Sequence, residues 1–275
     1  MPQRITAILP PARLQPYRDF WAASAGGSGV VPSDAAIAAL YVWQVGMCSA
    51  WYEVLAYVEM VVRHALDTEL GKWNAAQGNG TEWLSNPAAP LRSILGGRTI
   101  SDVQGSATRA QRGRNAADPH FGPHPRQGVP VSHDDLVAQL TFGNLVHLLP
   151  NDPPTAASRQ RFASGFSKHE QLWINATSKA FPNLGTIWQN RRWAGFPTSN
   201  PVPASVAPGY ALSAALERLR RLRNRVGHHE QMFRVQHSHR HKDAILIVRS
   251  VSVAGALVVR GLSRVPALEA MQPRP

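Results

Sequence analysis

From Ala35 to Trp73 the chain contains no proline, and its large apolar residues recur at helical spacing: Leu40, Val42, Trp43, Met47, Trp51, Leu55, Val58, Val62 and Leu66. Steps of three and four place residues on one stripe of an α-helix. The pattern predicts one long helix, or two in series with a break near Gly46 to Ser49. Pro32-Ser33-Asp34 supplies the start, with Ser33 or Asp34 as N-cap.

Four more helices are predicted downstream. Ser132 caps one over His133 to Leu149, with Asp135 at the capping-box position and Pro150 as its stop. A second runs from Lys168 to Phe181 and ends at Pro182. The third, Tyr210 to His229, carries Leu212, Leu216, Leu219, Leu222 and Val226 as an apolar stripe. Ala244 to Val259 holds Ile245, Ile247, Val248, Val251 and Val253, which favour strand by propensity. In an all-α protein tertiary context overrides so weak a preference, and the segment reads as helix.

The rest reads as irregular. Residues 1–32 form a flexible N-terminal segment with a break at Gly26-Gly27-Ser28-Gly29. Residues 33–265 are the helical domain, and 266–275 are a tail. Residues 98–131 are rich in Gly, Pro, Arg and His and poor in large apolar residues, so a long Gly/Pro/Arg-rich loop is expected. Pro197, Pro201, Pro203 and Pro208 break the stretch from Asn183 to Tyr210.

Composition narrows the setting. A single cysteine, Cys48, excludes a disulfide within the 275 residues and a cysteine-based zinc site, and fits a reducing cytoplasm. Met1 to Gln15 has no apolar core of a secretory signal. Ala244 to Val259 is interrupted by Arg249 and too short to span a bilayer. The expectation is a cytoplasmic protein without a membrane partner. The net charge is +12, and 25 of the 29 cations are arginine. Such a balance suits a polyanionic partner, RNA above all, although a GC-rich genome produces the same arginine count.

Position sharpens that reading. Arg218, Arg220, Arg221, Arg223 and Arg225 fall within eight residues, then His228-His229-Glu230 follow. Such a run repels itself unless anions face it, and Arg220, Arg221 and Arg225 are candidate RNA contacts. A guanidinium keeps its proton at any working pH, whereas an imidazole both takes and gives one near neutrality. Arg223 and His228 therefore supply what cleavage of a phosphodiester by its own 2′-hydroxyl demands, without metal or cofactor. Positions five apart diverge by ~140° on a straight helix, so they meet on one phosphate only if Arg223 reaches around, the helix loosens near Gly227, or a second copy completes the site. Asn224 stands at i−4 from His228 and can orient it. The same pattern also suits a plain helix end, with a cation on the macrodipole and Gly227 as the terminating residue.

Two other constellations stand out. His237-x-His239-x-His241 would aim three imidazoles one way from a strand, a divalent-metal arrangement. The polar Arg/Lys-rich context and the lack of a His-Glu-x-x-His spacing favour solvated loop histidines, and no metal is expected. Glu59 and Arg63, at i and i+4 in an apolar stretch, read as an internal ion pair.

Taken in order, several segments resemble the Abi-like (abortive infection) family of bacterial proteins, a branch of the HEPN superfamily. They are Leu40-Tyr41-Val42-Trp43, Val58 to Ala65, Asp135 to Gly143, and Leu222-Arg223-Asn224-Arg225-Val226-Gly227-His228-His229-Glu230. The similarity spans roughly residues 35 to 265. It implies an all-α, HEPN-type helical bundle that pairs as a homodimer with a composite site, and a metal-independent ribonuclease signature, Arg-x4-His. By that resemblance catalysis rests on Arg223 and His228, supported by Asn224, His229, Glu59 and Arg63. His64 departs from the family's usual Asn, and Asn144-Leu145 from its aromatic pair. A role in phage defence or as the toxin of a toxin–antitoxin pair, with a protein or RNA antitoxin, is likewise implied.

Overall fold

The structure is a computed structural model that describes residues 5–25, 31–116, 120, 122–189 and 200–275. Among these, every regular element is helical: α1 (Ile5–Ile8), α2 (Pro11–Ser24), α3 (Asp34–Ala76), α4 (Leu91–Asn115), α5 (His133–Ala138), α6 (Phe142–His147), α7 (Ala156–Gln160), α8 (Lys168–Asn175), a 3-10 turn (Thr177–Ala180), α9 (Leu184–Gln189), α10 (Ala207–Gly227), α11 (His237–Val251), α12 (Val253–Leu262) and α13 (Val265–Ala270). The protein is all-α, as expected. The Gly26–Gly29 break and Pro197 lie outside the described residues.

α3 is one uninterrupted helix of 43 residues, with no break at Gly46. The stripe Leu40, Trp43, Met47, Trp51, Leu55, Val58, Val62, Leu66 and Leu70 is buried along its whole length, whereas Val42 is half exposed. By length and hydropathy α3 could cross a bilayer. One stripe of its large side chains lies inside protein while Val45, Tyr52 and Met60 are exposed, and Glu53, Glu59, Arg63, Asp67 and Glu69 interrupt its outer surface.

The chain divides into two compact units. The first comprises Met1–Val58, Arg218–Leu246 and Ala254–Pro275. Here residues 11–24 form α2, which buries Leu14 and Tyr17. The Tyr17 ring packs on Tyr41 and Phe233 at centroid distances of 5.5 and 5.3 Å, and Phe20 lies 4.4 Å from Phe233. The 266–275 tail is ordered as far as Ala270 by α13, where the Leu268 carbonyl accepts a 2.7 Å hydrogen bond from Trp43 Nε1. Arg264 holds Glu53 at 2.6 Å.

The second unit comprises Glu59–Glu217 and Ile247–Val253. Two departures from expectation occur here. Residues 98–115 belong to α4, which kinks at Gly96 (φ 70°) and buries Val103 and Ala107. The first part of the expected loop, residues 98–115, is thus helix, and 117–119 and 121 lie outside the described residues. Two arginines of the 98–131 stretch bind a buried acid: Arg114, in α4, grips the Asp135 carboxylate with two bonds of 2.9 and 3.1 Å, and Arg126 with two of 2.7 and 3.0 Å. Asp135 also closes the capping box with Ser132 that starts α5.

The helix predicted over His133 to Leu149 is in fact two. α5 ends at Ala138, and a second capping box, Thr141 with Asn144, starts α6. The break frees the Leu140 carbonyl, which accepts 2.9 Å from Arg63 Nη2 while Glu59 holds the same nitrogen at 2.6 Å. The predicted Lys168 to Phe181 helix tightens into the 3-10 turn after Asn175. Ser167 and Glu170 form a third capping box, and Glu170, fully buried, takes both Arg159 Nη atoms at 2.8 and 3.0 Å and the Tyr210 hydroxyl at 3.1 Å. Gly209 is required beside Tyr210, because a β-carbon there would sit 2.8 Å from the Trp173 ring.

The Arg114 guanidinium, aided by the Ser132 backbone and Arg126, holds the Asp135 carboxyl far below the usual carboxylate range. The native value thus lies below the unfolded one. Its stabilisation is complete above about pH 4 and drains away as pH falls toward the native value. Asp135→Asn should cost about 3 kcal/mol at pH 7, because two guanidiniums lose their partner. The gap in melting temperature between wild type and variant should narrow steadily below about pH 4; a gap independent of pH would refute the assignment.

Candidate nucleic-acid interface

α10 ends at Gly227, inside the Arg-x4-His pattern, but that glycine is not the left-handed residue that closes it. The His228 N–H still donates to the Asn224 carbonyl at 2.9 Å. Then His229 N–H donates to Val226 at 3.1 Å and Glu230 N–H to Arg225 at 2.9 Å. The last two bonds form the Schellman closure, whose left-handed position is normally glycine. Here it is His229, with φ 52°, the one non-glycine residue at positive φ among the described residues.

The turn is held from several sides. Arg13 Nη2 in α2 donates to the His229 carbonyl at 2.7 Å. Buried Gln44 in α3 donates to the Glu230 carbonyl at 3.3 Å and accepts from Met232 N–H at 3.1 Å. Arg225 Nη1 donates to the Gln231 carbonyl at 3.0 Å, and its Nε lies 3.6 Å from Glu230 Oε2. Arg225, expected to contact RNA, therefore serves first to fold the turn.

Arg223 and His228 are both exposed, and neither side chain bonds to a described residue. Arg223 Nη1 lies 3.9 Å from where a β-carbon on Gly227 would be, so the guanidinium runs toward the helix end. No bond joins Arg223 to His228 within the described chain. Asn224 and His228 are linked through their backbones, as the i, i+4 spacing requires.

A cleft of about 780 Å³ opens on another face of the same helix. Arg218, Arg221, Asn224 and Arg225 line it from α10, and Arg234 and Arg240 from beyond. Arg220, Arg223 and His228 do not line it. Two of these cations, Arg218 and Arg240, share one carboxylate, that of Asp243, which is 5 % exposed. Arg218 Nε and Nη2 each donate to it at 2.8 Å, and Arg240 Nη1 lies 3.0 Å from Oδ2. Burial, reinforced by the Arg218 charge, pulls the Arg240 guanidinium below its usual range despite Asp243. Arg240 and Asp243, at i and i+3, escaped the sequence reading; an Asp beside an Arg-rich helix was the available signal.

The histidine cluster lies on α11, not on a strand or in a loop. Positions two apart on a helix diverge by ~200°, so the three rings separate. Trp51 Nε1 donates to His237 Nδ1 at 2.9 Å, and His237 Nε2 donates to the Met232 carbonyl at 3.0 Å. These bonds fix a neutral tautomer in a residue 1 % exposed, and burial lowers its affinity for a proton. No group of three potential metal ligands occurs among the described residues. Glu59 and Arg63 form the expected ion pair at 2.6 Å, each about one fifth exposed, and it is spent on the α5–α6 break.

Comparison of the chain with models of known families, with curated proteins and with solved structures finds no match.

A β-carbon in the left-handed region costs roughly 1–2 kcal/mol. Replacing His229 with glycine should therefore raise stability by about 1 kcal/mol, with glycine's greater unfolded-state freedom offsetting part of the gain. Denaturant titration of His229→Gly at unchanged m-value checks this; a lower midpoint would show that the imidazole itself holds the turn.

Proposed function

We propose that the chain is a metal-independent endoribonuclease of the HEPN type, its helices forming a HEPN-type bundle. The observation that supports this best is the state of Arg223 and His228. Both project from the rigidly closed end of α10, both are exposed, and neither is engaged by a described residue, beside a cleft lined with arginines. Structural arginines in this protein are consumed by carboxylates, as Arg114, Arg159 and Arg218 are. Arg223 is not.

The chemistry is a transesterification. The His228 imidazole takes the proton from a ribose 2′-hydroxyl, whose oxygen attacks the adjacent phosphorus and expels the 5′ oxygen. A second imidazole, His228 of another copy, protonates that leaving group. Arg223 stabilises the negative charge that builds on the phosphoryl oxygens. The products are a 2′,3′-cyclic phosphate and a 5′-hydroxyl end, and DNA is inert for lack of the nucleophile. Divergence by ~140° around one helix is why a homodimer completes the site. Asn224 and His229 flank the pair, Arg220 and Arg221 meet the strand, and no metal or cofactor is required. A cytoplasmic role in phage defence or as a toxin held by an antitoxin goes with this reading.

The same divergence favours a second reading, a non-catalytic HEPN module that binds RNA or protein without turnover. Arg223→Ala and His228→Ala separate the two. On the first reading each lowers cleavage by about 10²-fold or more with the helical circular dichroism unchanged. EDTA leaves the wild-type rate intact, and the cut ends carry cyclic phosphate. Equal cleavage by wild type and both variants would end the nuclease reading.

A further inference from the structure

The cleft beside α10 is lined mainly by cations, and it excludes the two residues assigned to bond breaking. Five guanidiniums line it (Arg218, Arg221, Arg225, Arg234 and Arg240), against the carboxylates of Asp19 and Glu230. Glu230 is drawn toward Arg225, and exposed Asp19 accepts from Gln15 at 2.8 Å. Asp243 compensates only one of the two charges it holds. It also orients them: Arg218 spends Nε and Nη2 on its oxygens, and Arg240 spends Nη1. The remaining N–H groups of both guanidiniums have no partner among the described residues, and Arg234 is exposed and bonds to none. Planar guanidiniums fixed in this way match the tetrahedral oxygens of phosphate.

The one aromatic wall is Phe233, 7 % exposed, with its ring packed against Tyr17 and Phe20. It offers no free face for a base to stack on. Recognition here is thus of charge and not of sequence.

We propose that this cleft is a second phosphate-binding site, which seats a backbone phosphate of the RNA strand apart from the one that is cut. It rests on reading α10 as the RNA-facing helix. Its effect is to fix the register of the strand, so that the linkage reaching His228 is set by distance from the seated phosphate.

The test uses a fluorescent 2′-O-methyl RNA 12-mer, which cannot be cleaved, so binding is read independently of catalysis. Anisotropy is measured across a salt series for wild type, Arg240→Met and Arg234→Gln. Arg240→Met leaves the Arg218–Asp243 fork in place, and Arg234 has no described partner to lose. Each variant should bind about 3–10-fold more weakly and lose about 0.7 from the slope of log K against log salt. Single-stranded DNA of the same sequence should bind within about 2-fold of the RNA, since phosphate is what is read. Inorganic tripolyphosphate as competitor separates the sources of the ligand. Competition lost in both variants assigns the site to compact polyphosphates as well as strands; no competition assigns it to the strand backbone. Should Arg240→Met fail to fold, Arg234→Gln decides alone. Wild-type affinity and salt slope in folded Arg234→Gln, or no binding of either probe by wild type, would overturn the site whether or not the protein cleaves RNA.

Discussion

An arginine cannot shed its charge to enter a protein interior, so those of the 25 that this chain draws inward need carboxylates placed to receive them. Three buried acids carry this load. Asp135 takes Arg114 and Arg126, Glu170 takes Arg159 together with the Tyr210 hydroxyl, and Asp243 takes Arg218 and Arg240. Asp135 and Glu170 each double as the acidic member of a capping box, so one carboxylate starts a helix and tethers a distant segment to it. Burial alone would push Glu170 toward protonation, and the Arg159 fork and the Ser167 N–H more than reverse it. Acids are scarce at 17, and Asp135 and Asp243 must each serve two cations. The excess charge has to surface somewhere, and the cleft along α10 is one such place.

This scarcity explains what could be read from the sequence and what could not. Apolar period was reliable: the stripes of α3 and α10 are buried where the spacing puts them, because burial of large side chains dominates local preferences. It also turned the β-branched run of α11 into helix. Residues 98–115 misled because composition counts an arginine as a solvated residue, whereas Arg114 is a cross-link to Asp135, visible only when α4 and α5 come together. The α5–α6 break was encoded in Thr141-x-x-Asn144, a weak cap signal inside a strong apolar run. The His237 to His241 run, read as solvated loop histidines, lies on α11 with His237 buried. Alternation by two has meaning only on a strand, and the helix scatters those rings.

The helix end shows how far spacing alone reaches. Arg-Asn-x-x-x-His states which groups are near one another in the chain, but the direction of each depends on how the helix is closed. Glycine at 227 looked like the terminator, yet the left-handed turn falls two residues later, on His229. That shift keeps His228 N–H inside the helical ladder and holds the Arg223–His228 divergence near its ideal helical value, where an early unwinding at Gly227 would have relaxed it.

A strained residue persists only where its surroundings over-determine it. His229 meets that condition: Arg13 fixes its carbonyl, Gln44 spans the next three residues, and Arg225 binds beyond them. Three side chains, from α2, α3 and α10, and the loop backbone thus agree on one geometry for a surface turn whose own side chains make no internal contribution through Arg223 or His228. Rigidity without an internal beneficiary is the arrangement expected of groups that act on something brought to them, since a flexible terminus would forfeit the orientation that general acid–base chemistry requires. The Schellman turn therefore connects the fold to the proposed chemistry: it is what would let one copy of α10 present its imidazole, and a second copy its guanidinium, to a common phosphate.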